Sequence, residues 1–182
     1  MKNDDFVRKM TEDGVRQEFE QTFSERVVRY LEVKPHGLVP NTHFARASSE
    51  CSKMYRDAHF LGCISLAMSV AESLTRFVCV VNHFKPASNF ERNLRTLVKS
   101  NVILPFQEEA FLKIWSKRDD YHHLNPQVEG DYRELMRLSK EKLLLLNTLE
   151  EYFFEFGFEK GVLIPRRPQY WTTGTELYLR LD

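Results

Sequence analysis

The stretch LGCISLAMSVAESLTRFVCVV, residues 61–81, decides the fold of this chain. It is apolar on nearly every side of a helix, and a helix of that kind lies at the centre of a bundle. The apolar run from Phe60 to Val81 carries two charged residues, Glu72 and Arg76. Because a charge at the centre of a bilayer costs roughly 2.5–3.5 kcal/mol, we interpret the run as a buried helix and expect no membrane span.

The composition predicts one globular domain in the cytoplasm. The chain has 182 residues, of which 42% are hydrophobic and 29% charged, and this length suffices for a substantial core. Lys plus Arg and Asp plus Glu both number 26, whereas a general nucleic-acid binder usually carries a basic excess. The three cysteines form no C-x-x-C pair, which favours reduced thiols over a disulfide framework or a zinc site. The first ten residues lack an apolar signal core, and no cofactor or metal is expected.

A first helix is predicted at residues 4–33 and a second from His43 to His83. One face of the first helix is apolar at helical spacing and contains Phe19, Phe23, Val27 and Tyr30. Gly14 is a place where the first helix could weaken or break, and Gly62 a place where the second could kink. The loop between them contains Pro35, Gly37 and Pro40.

Two shorter helices should follow. Ser88 is a candidate N-cap for a helix at 89–100. Pro105 suits the first turn of a further helix at 105–123. Asn125 and Pro126 then stop that helix, because the residue before a proline disfavours the helical conformation.

The clearest helix of all is predicted at residues 131–156. Asp131 and Glu134 resemble a capping box at its start, and Gly157 stands where a C-cap glycine belongs. The predicted inner face consists of Leu135, Leu138, Leu145, Leu149, Tyr152 and Phe156. Other apolar residues lie off that face and give loose support for self-association: Leu143, Leu144, Leu146, Phe153 and Phe154.

The last twenty residues have a different pattern. Residues 162–164 and 177–179 are short β-like runs, which could pair with each other as a hairpin or wrap the bundle as an extended tail. Tyr170 and Trp171 are expected to attach this tail to the bundle. Arg166–Arg167 is interpreted as solvated charge.

We therefore predict an all-α fold, an up-and-down bundle of about five helices with an extended or small β-hairpin C-terminal tail. Residues 1–41 would form an N-terminal helix and loop, residues 42–158 the bundle, and residues 159–182 the tail. The three segments would make up a single domain overall.

The sequence RDDYHH, residues 118–123, is the candidate functional motif. An Arg and a His held together can bind a phosphodiester and move its protons, which makes RNA cleavage the first functional hypothesis. The alternative is a solvated helix end, with Arg118 near the negative pole of the helix where a cation is favoured. Likewise, Glu72 could belong to the site or pair with Arg118 or Arg76 to satisfy a buried charge.

The central helix and this motif together resemble the HEPN superfamily of helical nucleases and nucleotide-binding domains. The resemblance covers roughly residues 42–156, and the matching segments are 61–77, 89–105 and 111–123. The family motif is an Arg followed by Asn, Asp or His, a short spacer and a His. Arg118, Asp119 and His123 match that motif. Glu72 could occupy the place of an acidic residue that recurs in the central helix of the family.

The resemblance implies a metal-independent endoribonuclease that acts as a dimer, with the two motifs meeting at the interface. His123 would transfer protons, Arg118 would bind the scissile phosphate, and Asp119 would hold Arg118 or orient the histidine. Lys117 would add positive charge to the cleft. The ring of Tyr121 or Trp115 could stack on a base, although packing between helices is the commoner role of such rings.

One point of geometry competes with the family motif. On a continuous helix, a residue four positions on lies about 40° around from the first, while a residue five positions on lies about 140° around. His122 should therefore sit nearer Arg118 than His123 does, unless the helix frays before Pro126. The motif favours His123 and the helical geometry favours His122.

Two classes of function follow from the resemblance. The first is the endoribonuclease, with a stress or defence toxin as one form of it and a cognate antitoxin or regulatory protein as its partner. The second is a catalytically silent helical module that binds a protein partner or a nucleotide through the same cleft. Both would be cytoplasmic and independent of membranes.

Overall fold

The protein is an all-α bundle with a small β-hairpin in its C-terminal tail, as predicted. A second two-stranded sheet, which was not predicted, joins the tail to residues 38–40. The structure is a computed structural model that describes residues 2–35, 37–126, 128, 130–171 and 177–180, without the side chains of the first two. The helices are α1 (Lys2–Glu32), α2 (Ala45–Arg56), α3 (Phe60–Val81), α4 (Phe90–Lys99), α5 (Pro105–Trp115), α6 (Arg118–His123) and α7 (Tyr132–Phe153). The strands are β1 (Leu38–Pro40), β2 (Phe156–Glu159), β3 (Val162–Pro165) and β4 (Leu177–Leu179), with a 3₁₀ turn at Pro168–Tyr170.

Helix α3 lies at the centre of the bundle. It packs against α2 and α7 most extensively and also contacts α4, α5 and α6. Its side chains Ile64, Met68 and Leu74 are fully buried. The helix is long and apolar enough to cross a membrane, but 56% of its most apolar window is buried within the body. This burial is consistent with the core helix of a soluble protein.

The predicted helix from His43 to His83 is two helices. Asp57, Ala58 and His59 separate α2 from α3, and Ala58 has a φ of 64°. The expected kink at Gly62 is therefore wrong, because the chain turns before that residue. Gly62 instead permits close packing, since a Cβ there would lie 3.3 Å from the Sδ of Met54.

Helix boundaries differ from the prediction at several other places. Helix α1 runs unbroken through Gly14. The cap of α4 is Asn89 rather than Ser88, and its side-chain oxygen accepts a hydrogen bond of 2.8 Å from the backbone N–H of Arg92. Pro105 does begin α5. That helix ends at Trp115 instead of continuing to residue 123.

Asp131 caps the start of helix α7, but Glu134 pairs with Arg137 instead of completing the predicted capping box. The buried face of the helix is also broader than expected. The side chain of Asp131 accepts a hydrogen bond of 2.8 Å from the backbone N–H of Arg133. The helix ends at Phe153, so Gly157 lies in β2 and not at a C-cap. Of the residues assigned to the outer face, Leu144 is exposed, whereas these are buried: Leu143, Leu146, Phe153 and Phe154. They build the protein's own core, so the support they offered for self-association is lost.

The tail forms a hairpin and also wraps the bundle, but its strands pair differently from the prediction. Strand β3 pairs with β2, while β4 pairs with the distant β1, placing Leu179 opposite Leu38. Tyr170 is buried and its hydroxyl accepts a hydrogen bond from Asn82 of 3.2 Å, while Trp171 packs on the ring of Phe154. These contacts confirm that the two aromatic residues attach the tail.

Arg167 and Arg180 fix the tail by polar contacts. Arg167 donates to the carbonyl of Tyr152 and to Glu155, both at 2.7 Å, so it is a structural residue and not merely solvated charge. Arg180 forms a two-bond ion pair with Glu150 at 2.8 and 2.9 Å. Both side chains of that pair have no exposed surface.

We expect the Arg180→Met substitution to lower the free energy of unfolding by about 3–5 kcal/mol, because it leaves the Glu150 carboxylate buried without its partner. The double variant Arg180→Met/Glu150→Leu should recover much of this loss, since neither charge then remains. Urea unfolding followed by circular dichroism measures both. Arg137→Met, which removes an exposed ion pair to Glu134, is the control and should have little effect. An Arg180→Met variant that is as stable as Arg137→Met would contradict the prediction.

Candidate active site

The motif begins at a break between helices that Lys142 holds in place. The ammonium group of Lys142 donates to the carbonyl oxygens of Lys113, Ile114 and Ser116 at 3.1, 2.7 and 3.0 Å. These carbonyls belong to the C-terminal end of α5 and the residue after it, which have no partners within a helix. Lys142 is 2% exposed, and burial lowers the pKa of its ammonium group to about 8. Its positive charge at the negative end of α5 is favourable.

The sequence analysis missed Lys142. It lies four residues after Leu138 and seven before Leu149, on the predicted inner face of α7. A lysine on an apolar helical face needs hydrogen-bond acceptors inside the protein. The position of Lys142 on this face was therefore the sign, readable from the sequence, that its ammonium group needs acceptors within the protein. The identity of the acceptors depended on where α5 ends.

After the break, the backbone turns and starts the short helix α6. Lys117 adopts the left-handed conformation with a φ of 60°, and Leu124 does so at the other end with a φ of 48°. The amide N–H of Asn125 then donates to the carbonyl of Asp120 at 3.0 Å. Helix α6 is therefore bounded at both ends by left-handed residues, and it remains helical through His123.

Tyr121 anchors α6 to the core. It is 2% exposed and packs in a cluster with Ile64 and Met68 of α3 and Leu138 of α7. A ring in that position cannot stack on a base, so the predicted RNA-binding role of Tyr121 is not compatible with the structure. Trp115 is partly exposed, and its ring stacks on Phe90 at 4.2 Å between centroids.

Arg118 is the first residue of α6 and lies beside Trp115. Its guanidinium carbon is 5.4 Å from the centroid of that ring, and one terminal nitrogen donates to Asp119 at 2.9 Å. Its Nε is buried and has no hydrogen-bond partner among the described residues. Arg118 begins α6, but its guanidinium also lies beside Trp115, the last residue of α5, so a cation near the negative pole of α5 stays an alternative interpretation.

The motif borders a shallow depression in the surface, of about 410 Å³. Residues of the α5–α6 junction and one residue of α4 line it: Glu91, Trp115, Ser116, Lys117, Arg118, Asp119 and Asp120. Lys117 is exposed at this place. The depression thus contains two cations and three carboxylates. Its neighbourhood is polar and open to solvent.

His122 lies in the electrostatic field of the other motif residues. Partial burial lowers the pKa of His122, and the positive charges of Arg118 and His123 lower it further. The carboxylates of Glu72 and Asp119 act in the opposite direction. The net effect is a pKa of His122 below its ordinary value, which favours the neutral imidazole. Since α6 persists as a helix, His122 and Arg118 lie on the same side of it, about 40° apart.

Glu72 lies on α3 near this cluster and forms an ion pair there. Its Oε1 is 2.6 Å from a guanidinium nitrogen of Arg76, and its side chain is 27% exposed. Of the two candidate partners, Arg76 is thus the one that forms the ion pair. Glu72 still contributes to the field at His122, so the structure brings Glu72, Arg118, Asp119, His122 and His123 into one region.

Within the described part of the chain, no group of three or more His, Cys, Asp or Glu side chains is arranged to hold a metal ion. The chemistry available to the cluster is therefore that of one guanidinium, two imidazoles and neighbouring carboxylates. Such a set can bind an anion and transfer protons.

Comparison with family models, curated proteins and solved structures finds no match to this chain.

We expect opposite shifts in the titration of His122 when its charged neighbours are removed. Its midpoint in wild type should lie below about 6.5, the value of an unperturbed histidine. Arg118→Ala should raise the midpoint because it removes a positive charge that opposes protonation. Glu72→Gln should lower it because it removes a negative charge that favours protonation. NMR titration of the imidazole C–H signals, assigned with His122→Ala, measures these values. Two shifts of the same sign would contradict the arrangement.

Proposed function

We propose that this protein is a HEPN-like, metal-independent endoribonuclease that acts as a dimer. The observation that supports the proposal is the placement of Arg118 and His122 on one side of α6. That helix is fixed to the core by Tyr121, which is 2% exposed. A guanidinium that lines a solvent-facing depression, with an imidazole one helical turn away, supplies the groups that phosphodiester transfer requires.

The reaction would be an attack of the ribose 2′-hydroxyl on the neighbouring phosphorus. A neutral histidine removes the hydroxyl proton as the new oxygen–phosphorus bond forms. The bond to the 5′-oxygen breaks, and that oxygen takes up a proton from a protonated histidine. The products carry a 2′,3′-cyclic phosphate on one side and a 5′-hydroxyl on the other. DNA would not be cut, because it lacks the attacking hydroxyl.

Arg118 would bind the scissile phosphate and stabilise its developing negative charge. The buried Nε of Arg118 and its contact with the Trp115 ring restrict the guanidinium, which reduces the ordering needed when a phosphate binds. Asp119 accepts a hydrogen bond from Arg118 at 2.9 Å and would hold the guanidinium in the absence of RNA.

His122 and His123 compete for the role of the base. The position of His122 relative to Arg118 favours His122, whereas the family motif favours His123. In a dimer, the histidine on the far side of α6 would be available to the second copy of the motif. Two Arg118 residues and two Lys117 residues would then meet at the interface, beside the carboxylates of Glu91, Asp119 and Asp120.

A second candidate function is a catalytically silent module that binds a nucleotide or a protein partner. It is favoured by the hydrogen bond between Arg118 and Asp119, which occupies one terminal nitrogen of the guanidinium within the motif itself. Such a module would bind an anionic group at the depression without cleaving RNA.

The test is incubation of labelled single-stranded RNA with purified protein in excess EDTA. Wild type should cleave and leave cyclic phosphate ends, and Arg118→Ala should reduce cleavage at least a hundredfold, as expected for loss of a transition-state contact. His122→Ala and His123→Ala, measured separately, identify the base. Arg137→Ala, an arginine on α7 paired with Glu134, is the matched control and should retain activity.

Cleavage that is unchanged in Arg118→Ala would exclude the proposed site. Absence of cleavage by the folded wild type, together with nucleotide binding that Arg118→Ala abolishes, would establish the silent module. For a toxin, expression of wild type should arrest growth of the host cell, and the Arg118→Ala variant should not.

A further inference from the structure

Helix α4 presents to solvent a face that consists only of charged side chains. The exposed residues of this helix are Glu91, Arg92, Arg95 and Lys99. An interface with another protein is built around a core of buried apolar and aromatic side chains, and this face offers none. The contacts that it can make with a partner are therefore electrostatic.

The three cations lie on one side of α4. Arg95 follows Arg92 by three residues, and Lys99 follows Arg95 by four, which are the spacings at which side chains are neighbours on a helix. At 1.5 Å per residue, Arg92 and Lys99 are about 10 Å apart along the helix axis. Two guanidinium groups and one ammonium group thus form a row along the helix.

Within the described part of the chain, none of these three cations forms an ion pair with a carboxylate. Arg95 donates to the backbone carbonyl of Glu91 at 3.4 Å. By contrast, the exposed Lys113 of α5 pairs with Glu109 at 2.9 Å. Because Glu91 is the one carboxylate in the sequence of α4, this helix carries an excess of two positive charges on a protein of zero net charge.

The charged face of α4 begins at the depression beside the Arg118 motif. Glu91, in the first turn of α4, lines that depression. Phe90 precedes it and stacks on Trp115, whose ring centroid is 5.4 Å from the guanidinium carbon of Arg118. From this contact, the row of cations leads away from the motif to Lys99 in the last turn of α4.

The depression alone does not attract a polyanion, because its charged residues are two cations, Lys117 and Arg118, and three carboxylates, Glu91, Asp119 and Asp120. A nucleic-acid strand carries a negative charge at every phosphate, and its affinity for a protein comes largely from the phosphates that cations neutralise. A strand that reaches Arg118 therefore needs cations outside the depression. Helix α4 supplies them at its border, and two of the three are guanidinium groups, which can form two parallel hydrogen bonds with a phosphate.

We propose that the charged face of α4 binds the phosphate backbone of single-stranded RNA, so that a strand with one phosphate at Arg118 continues along Arg92, Arg95 and Lys99. Contacts of this kind position the strand and read no base sequence. The distinction between RNA and DNA is thus made by the reaction at the motif and not by α4. This inference rests on the proposed function for the identity of the substrate, but the binding itself can be measured without cleavage.

The first test measures binding by fluorescence anisotropy over a range of salt concentrations. The probe is a labelled oligouridine strand with 2′-O-methyl riboses, which lacks the attacking hydroxyl and stays intact. The variant Arg92→Ala/Arg95→Ala/Lys99→Ala should bind it about a hundredfold more weakly than wild type at about 0.1 M salt. The slope of log K against log salt should fall by about 2, because each phosphate contact on a single strand contributes about 0.7 to it.

The matched control is Lys9→Ala/Arg16→Ala/Arg133→Ala, which removes three exposed cations from α1 and α7 and changes the net charge by the same amount. It should bind the strand nearly as tightly as wild type. All six side chains are exposed, so both variants should fold, and circular dichroism checks this. Equal weakening in the two variants would show an effect of overall charge alone. That result would overturn the proposal, as would an α4 variant that binds like wild type or a wild type without affinity for the strand.

Competition with other polyanions distinguishes a nucleic acid from an acidic protein as the partner. Unlabelled oligothymidine DNA of the same length should displace the probe, because it carries the same phosphates. Polyglutamate of equal charge should displace it far less, since its carboxylates are not spaced as phosphates are along a strand. Displacement by polyglutamate and not by the DNA would identify an acidic protein as the partner and overturn the proposal.

The second test separates binding along α4 from the chemistry at Arg118. With a long cleavable RNA, the triple α4 variant should raise KM and leave kcat little changed, because its contacts are the same before and during the reaction. With a dinucleotide, whose single phosphate is the one cleaved, KM should not change. A loss of kcat at unchanged KM would overturn the proposal. Absence of cleavage by wild type would contradict the nuclease function, and the binding measurements would still decide whether α4 holds the strand.

Discussion

The packing of other helices on α3 determines where every part of this protein lies. Because α3 is apolar nearly all round, its neighbours can each bury a stripe on a different side of it. Its two charged residues, Glu72 and Arg76, pair with each other at the border of this contact. Helix α6 has six residues, too few to be stable alone, and Tyr121 attaches it to α3. The positions of Arg118 and the two histidines therefore depend on a contact within the core.

The ends of α6 show how a polar motif is held at a defined place on the surface. Lys117 and Leu124 both adopt a left-handed conformation, which costs a residue other than glycine about 1–2 kcal/mol. The hydrogen bonds of Lys142 and the burial of Tyr121 offset this cost. Such strain concentrates at functional sites, although strain alone does not identify the chemistry. It does explain why α6 stays short and why its direction differs from that of α5.

Periodicity and composition predicted the fold class, the central helix and the beginning of α5. The sequence did not reveal the break between α5 and α6, because neither Gly nor Pro stands at residues 116–117 and a lone serine is also compatible with a helix. Lys142, distant in sequence, fixes that break through tertiary contacts. Strands β3 and β4 were recognised by their β-branched and aromatic residues, whereas β1 and β2 were not predicted, and strands this short carry little information about their partners. The ion pair of Arg180 with Glu150 was not predicted, since no local pattern connects the two residues.

The candidate site was predicted only where local sequence determines which residues lie close together. Arg118, Asp119 and the histidines lie within six consecutive residues, so their proximity follows from local structure alone. Glu72 comes from another helix, and its proximity depended on the family resemblance. The inaccessibility of Tyr121 could not be foreseen, because an aromatic residue in a polar hexapeptide gives no sign of which side faces the core. The geometric argument for His122 over His123 holds only if α6 remains helical through His123, and the sequence did not establish that.

The pairing of β4 with β1 has a consequence for the synthesis of the protein. The helices form from neighbouring residues, but Leu38 and Leu179 are separated by more than a hundred residues of sequence. Contacts of that separation form late, because a long loop must close first. Until residue 180 has emerged from the ribosome, Glu150 has no guanidinium to pair with and the aromatic residues beneath the tail stay accessible. A nascent chain from which residue 180 has not yet emerged would therefore expose an incomplete core, which is the state that chaperones bind.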